Sequence, residues 1–279
     1  MRSPIKIVGG KYRLAQKIIS LIPPHRVYVE PFGGAGHVLF KKSPSQIEIY
    51  NDINSDLVNL FRVIKDTEKF REFHRQVFFT LYSKEEFEYY KNLVPRDDIE
   101  RAVKTFVLIN QSFNNKQGYW GIATNRATPH SENYFVIIKS LHKIRERLKK
   151  VYIENSDFRE IIKKYDFEDT FFFIDPPYVL ETRKCRMYPY EMTLDDHKDL
   201  VDLLLGIKGQ AILSCYYHEV YAPLIGKGWQ RQDYEVVCQA VGKIGKYKGE
   251  NVLKNHFKRV ETLLIKINKG KQLSLITGT

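Results

Sequence analysis

The residues best suited to chemistry are Asp175, Pro176, Pro177 and Tyr178, which follow the apolar run TFFFI. A buried strand ending there delivers a carboxylate to its carboxyl end. The two prolines fix the backbone, remove two N–H donors and leave carbonyl oxygens free to accept. Tyr178 adds a flat aromatic face. An acceptor carboxylate, an acceptor carbonyl and a stacking ring are what is needed to hold a planar heterocycle by an exocyclic amine. Taken alone, a Pro-Pro turn is also a plain structural stop, with Tyr178 an ordinary core residue.

A second constellation lies in residues 27–40, VYVEPFGGAGHVLF. A strand ends at Glu30, small residues 33–36 make a tight turn, and an apolar helix follows. Such a turn lets backbone approach a ligand at the carboxyl end of a first strand, where open α/β sheets bind their ligands. The G-x-G-x-x-G fingerprint is met only in part, because Gly34 and Gly36 fit but Leu39 holds the third glycine position. Asp52, at the end of the next strand, is placed to accept hydrogen bonds from ribose hydroxyls. Glycine turn and strand-end acid together suggest an adenosine-containing cofactor, against the plainer reading of a turn and a helix-capping Asp. The Gly10-Lys11 pair is no phosphate loop, since Tyr12 follows it and no glycine stands five residues before Gly10. His37 and His218 lie near the motifs, but a lone histidine is assigned no role.

These residues need a sheet to carry them. Strand-like runs at 26–30, 47–50, 151–154, 170–174, 210–214 and 262–267 are rich in β-branched and aromatic residues. Helical patterns at 12–21, 137–149 and 195–205, the last capped by Thr193, alternate with them. Alternation of this kind implies an α/β fold built on a mainly parallel sheet. Between about 56 and 141 the pattern changes to helices at 57–64, 84–93 and 100–110 and a polar loop, SFNNKQGYWGIATNR, which reads as an inserted helical lobe.

The chain has 279 residues, 43% hydrophobic, enough for a sizeable core, so wholesale disorder is excluded. No apolar run approaches a membrane span, and residues 1–10 lack a signal peptide's apolar stretch. A cytoplasmic protein without a membrane partner is expected. Three scattered cysteines without CxxC spacing argue against a disulfide scaffold and against a zinc site. Lys and Arg number 45 against 33 Asp and Glu, a net charge of +12, which favours polyanions. Six cations against Glu250 alone stand between positions 242 and 259, among them Lys246 and Lys248, as suits a hairpin or loop lying along phosphates or a solvated basic loop.

In EPFGGAG, DPPY and the opening VGGKYRLAQKI, the chain resembles the Dam-like (D12 class, α group) DNA adenine-N6 methyltransferases. The likeness runs from Ile5 to about Asn268 and includes NDINSDLVNLF, SDF at 156–158, LSCYYHEVY and RVETLLIKIN. It implies a Rossmann-like methyltransferase sheet with an inserted, mainly helical target-recognition lobe. Residues 1–60 and 141–279 would form the catalytic domain, which uses S-adenosylmethionine, and residues 61–140 the insert. By this likeness Lys11 reaches the methionine carboxylate or a nearby DNA group, and Phe32, Gly34 and Gly36 line the methionine side. Asp52 holds the ribose, Ile53 and Phe158 sandwich the adenine, and Asp157 accepts from its amine. Asp175 and Pro176 hold the target amine, and Tyr178 stacks on the extruded base. The same likeness puts Ile7 and Asp175 at the cofactor too, although Ile7 stands where relatives often carry an aromatic, and Cys215 stands where an asparagine is common. The partner implied is double-stranded DNA, in a bacterial or phage-encoded enzyme.

Base contacts are expected from the insert, where Asn115, Lys116, Tyr119 and Arg126 are types that pair with base edges or fill the gap left by a flipped base. Cytosine-N4 methylation is the nearest alternative activity, but it is usually associated with Ser at position 175, and protein glutamine methylation with Asn. A non-catalytic DNA-binding module on the same fold is the alternative of a different class.

Overall fold

A computed structural model of the chain describes residues 1–7, 9–112, 118–121, 130–183, 186, 188–237 and 258–267. The strands are β1 (Val27–Glu30), β2 (Ile47–Asn51), β3 (Val151–Glu154), β4 (Thr170–Ile174), β5 (Gln210–Cys215), β6 (Gln230–Val237) and β7 (Lys258–Lys266). They form one sheet in the order β3-β2-β1-β4-β5-β7-β6. The first five run parallel, and β7 is antiparallel to both β5 and β6. From β1 the chain winds outward through β2 to β3, then returns to place β4 on the other side of β1. The carboxyl ends of β1 and β4 therefore border a topological switch point, the position where doubly wound sheets bind ligands.

Period-two alternation divides the sheet's side chains between two layers. In β4, Phe171 and Phe173 join one apolar cluster while Phe172 and Ile174 join the other. The first cluster takes in α1 (Ala15–Leu21), α2 (His37–Lys41), α3 (Ser55–Lys65), α4 (Thr67–Phe79), α6 (Asp98–Gln111) and α7 (His130–Leu148), with α5 (Lys84–Asn92) at its margin. The second takes in α8 (Phe158–Tyr165), α9 (Leu194–Gly206) and α10 (Ala222–Gly226). Each large side chain fully buried in these layers contributes roughly 1.5–3 kcal/mol.

Capping fixes several helix starts. Thr193 caps α9 in a reciprocal capping box with Asp196, and Asn54, Asp66, Ser83 and Asp97 cap α3 to α6. A buried charge cluster then ties α7 to the sheet. Glu48 in β2 accepts from Lys42 Nζ at 2.6 Å and from Arg147 Nη2 at 2.8 Å. Removing one partner of such a buried cluster costs about 3–5 kcal/mol.

All six expected strands are present, with β7 starting earlier, at Lys258 rather than 262. The expectation omitted β6, whose sequence QRQDYEVV is mostly polar because this edge strand pairs only with β7. Helices α4, α8 and α10 are additional, and α7 begins seven residues before the expected 137. α3 and α7 run through positions 60 and 140, and Phe106 and Tyr134 share a core with Tyr28 and Phe171. The helical segment thus packs directly on the sheet. Among the described residues no helix is long and apolar enough to cross a membrane, and no group of His, Cys, Asp and Glu could hold a metal ion.

Candidate active site

The turn after β1 is held by its neighbours on every side. Gly33 N donates to Asn51 O at 2.7 Å, Gly36 N to Gly33 O at 2.7 Å, and the Tyr50 hydroxyl to Gly34 O at 2.7 Å. Gly34 and Gly36 have φ of 49° and 63°, a left-handed conformation that glycine adopts without steric cost. A Cβ on Gly33 would stand 2.2 Å from the Tyr50 ring. Asp52 completes the turn by accepting from Gly34 N at 2.7 Å and Asn54 N at 2.8 Å. Burial is the largest influence on its carboxyl and pushes its pKa up, against those two bonds.

Asn51 ties the ends of three strands together. Its amide donates to Pro31 O at 2.8 Å and Ser156 O at 3.0 Å, and its carbonyl accepts from Ser156 N at 2.9 Å. Segments after β1, β2 and β3 therefore close on one cleft of about 290 Å³. Ile7, Lys11, Phe32, Gly34, Gly36, Asp52, Ile53, Asp157, Phe158 and Asp175 all line it. The Phe32 and Phe158 rings lie 5.2 Å apart. Ile53 is 48% exposed at the rim. Asp157 caps α8 by accepting from Arg159 N and also pairs with the Arg159 guanidinium at 3.0 Å. A cradle without side chains, a strand-end carboxylate and flanking apolar groups fit an adenosine-bearing ligand.

At the carboxyl end of β4, Asp175 Oδ1 lies 2.5 Å from Lys11 Nζ. The same ammonium is 3.1 Å from Glu261 Oε1, donates to Gly9 O at 3.0 Å and sits 4.8 Å above the Tyr178 ring. Burial pushes Asp175 up to about 6, helped by Glu261 and opposed by Lys11. Burial also works against the charge on Lys11, but the two carboxylates outweigh it and hold its pKa above the ordinary lysine range. One cation between two carboxylates leaves this corner with a net negative charge.

Tyr178 is 3% exposed. Its hydroxyl bonds Glu261 and lies 3.3 Å from Ser214 Oγ, and the edge of Tyr216 meets its ring at 4.6 Å. Pro176 is buried as well, and it is Pro177 that lines the cleft. Beyond the tetrapeptide, Arg183 fastens the loop by donating to Tyr178 O at 2.8 Å and pairing with Glu191 at 2.5 Å.

Of the residues expected at DNA, Tyr119 is 77% exposed. Asn115, Lys116, Arg126, Lys246 and Lys248 lie outside the described residues. The sequence reading passed over Glu30, Tyr188 and Glu261. Glu30 lines the cleft and accepts from the Tyr28 hydroxyl at 2.6 Å and Leu39 N at 2.9 Å. Glu30 could have been noticed as an acid ending the apolar run VYV, and Glu261 as an acid in the strand that carries the apolar run LLI. Tyr188, which lines the cleft beside Gly9, carries no such signal. His37 also lines the cleft, and burial, with Lys41, Lys11 and Lys6 nearby, lowers it to about 4, so it is neutral at pH 7.

Five parallel strands, a seventh inserted antiparallel beside β5 and a glycine turn after β1 make this a Rossmann-like methyltransferase. The family model of D12 class N6 adenine-specific DNA methyltransferases matches residues 8–220, and the chain belongs to that family. It is 29% identical over 200 residues to the type II methyltransferase M.MjaIII of Methanocaldococcus jannaschii, covering 62% of this chain and 68% of the relative. It is 29% identical over 213 residues to the type II methyltransferase M1.LlaDCHI of Lactococcus lactis subsp. cremoris, covering 68% and 71%. To the DNA adenine methylase of Escherichia coli it is 25% identical over 221 residues, covering 74% and 76%. The chain is thus an adenine-specific DNA methyltransferase, and membership implies S-adenosylmethionine as the methyl donor.

Proposed function

We propose that the cleft binds S-adenosylmethionine and that Asp175 holds the N6 amine of an adenine extruded from double-stranded DNA. The observation that carries this reading is the convergence, in one cleft, of the glycine turn after β1 and the Asp175 carboxylate after β4. Gly34 and Gly36 would let the cofactor's methionine end approach the backbone, Asp52 would accept from its ribose, and Ile53 and Phe158 would flank its adenine. When bound, the cofactor supplies an electrophilic methyl group.

An aromatic amine is a poor nucleophile because its lone pair is delocalised into the ring. Hydrogen bonds from N6–H to Asp175 and the Pro176 carbonyl favour a pyramidal nitrogen whose lone pair points into the cleft. This is positioning plus electrostatics. As the nitrogen acquires positive charge its proton becomes acidic, and Asp175 is the carboxylate placed to receive it. The net negative charge of Asp175, Glu261 and Lys11 also favours a site that must tolerate a cation.

Extrusion costs a few kcal/mol. Stacking on Tyr178 would offset roughly 1–3 kcal/mol of it, once Lys11 leaves the ring. Residues 61–140 are the proposed target-recognition segment, with Tyr119, Asn115, Lys116 and Arg126 as base contacts. Lys246 and Lys248 are proposed phosphate contacts. Transfer of labelled methyl from the cofactor to duplex DNA, followed by identification of the labelled nucleoside, tests the reading.

A further inference from the structure

Beyond adding to the negative charge of the site, Glu261 has no task in the reaction just described, yet it is only 7% exposed, in β7. Burying a carboxylate is costly unless it is paired and hydrogen-bonded. Here Oε1 takes Lys11 Nζ at 3.1 Å, Ser214 Oγ at 3.0 Å and the Tyr178 hydroxyl. Lys11 is at the same time 2.5 Å from Asp175 and over the Tyr178 ring. A single ammonium is therefore shared between two carboxylates, and it covers both groups proposed to receive the base. A carboxylate neutralised by an ammonium at 2.5 Å is a weaker acceptor for an amine N–H, and a covered ring cannot stack.

We propose that Glu261 is a positioning residue that draws the Lys11 ammonium onto itself when the base amine engages Asp175, freeing that carboxylate and the Tyr178 ring. The inference rests on the reading of Asp175 as the amine acceptor. The required movement is short, because Lys11 Nζ is already within hydrogen-bond reach of Glu261. The tyrosine hydroxyl and Ser214 hold the receiving carboxylate in place from the loop after β4 and from β5. The ionisable groups around Asp175 are Lys11 from the N-terminal segment, Glu261 from β7, Tyr178 and Tyr188 from the loop after β4, Glu30 at the end of β1 and Cys215 in β5.

The test is single-turnover methylation of duplex DNA by the full chain across pH 5–9, with DNA KM and calorimetric cofactor Kd. Wild type, Glu261→Gln, Glu261→Asp and Ser214→Ala are compared. Glu261→Gln leaves Lys11 to Asp175 alone. Its rate should fall about 10- to 100-fold, as for misplaced catalytic groups, with KM and Kd within about threefold. Its acid limb should move to lower pH, because a carboxylate that raises Asp175 has gone. Glu261→Asp keeps the charge and should recover much of the rate. Ser214→Ala removes a donor from Glu261, strengthens that carboxylate's hold on Lys11 and should move the acid limb to higher pH.

A Glu261→Gln enzyme with the wild-type rate, or one slowed with its acid limb unmoved, overturns the proposal. If that variant does not fold, an unmoved acid limb in Ser214→Ala does so instead. Wild type that methylates no adenine overturns the underlying reading, a result distinct from an active wild type beside an indifferent Glu261 variant.

Discussion

Lys11 Nζ lies 2.5 Å from the Asp175 carboxylate, and this pair joins the N-terminal segment to the end of β4. Burial nevertheless keeps Asp175 high, at about 6. Only the ionised carboxylate is a full acceptor for an amine, so methylation should fall as pH drops through about 6, with roughly tenfold loss per unit below it. Lys11 favours the charged form, so Lys11→Met should move this acid limb upward. A pH–rate profile under single-turnover conditions checks both; an acid limb that stays put in Lys11→Met contradicts the pairing.

Asp52 makes two hydrogen bonds to backbone N–H groups and is proposed to accept from the ribose. Asp52→Ala removes all of these at once. With charged hydrogen bonds worth about 1.5–3 kcal/mol each, cofactor affinity should fall at least about tenfold, as read by calorimetry. Affinity within twofold of wild type would remove Asp52 from the cofactor site.

Gly33 presses against Tyr50, and an added Cβ would meet the ring at 2.2 Å. Gly33→Ala should displace that ring, whose hydroxyl supports Gly34, at a stability cost of about 1–3 kcal/mol. Denaturant melts should show the loss, and cofactor binding should weaken with it. An unchanged melt means that the ring can move at no cost.

Glu30 is a stability switch of predictable sign. Burial pushes its pKa up from 4.5 to about 7, against its bonds from Tyr28 and Leu39. The folded state binds the proton more tightly than the unfolded state. The stability this contributes is complete below about 4.5 and is lost as pH rises through about 7, on the order of 3 kcal/mol in all. Glu30→Gln cannot titrate but keeps an acceptor oxygen. Relative to wild type it should gain stability steadily from pH 5 to pH 8; parallel melting curves across that range would refute the assignment.

Much of this was legible in the sequence, for reasons visible in particular residues. TFFFI and VYVE announce buried strands because both faces of the central sheet are covered, and DPPY and the glycine turn mark their carboxyl ends. Thr193 announced its helix because a capping box is a local signal. β6 was illegible because an edge strand need not be apolar. The start of α7 at His130 lay hidden because its first turns carry His130, Ser131 and Glu132, and only Tyr134 begins the buried face. The ten residues assigned to the cofactor met in one cleft because each sits at or beside a strand end or in the segment packed over it. The union of Lys11 with Glu261 could not be read locally, since 250 residues separate them and only the antiparallel placement of β7 beside β5 brings them together.

The most direct measurement is to incubate the protein with tritiated S-adenosylmethionine and duplex DNA, digest to nucleosides and identify the labelled base. The account predicts label in N6-methyladenine, reduced by at least about 10²-fold in Asp175→Ala, with that variant's cofactor affinity within about threefold of wild type. Label confined to cytosine or to protein, or adenine methylation that survives in Asp175→Ala, would contradict it.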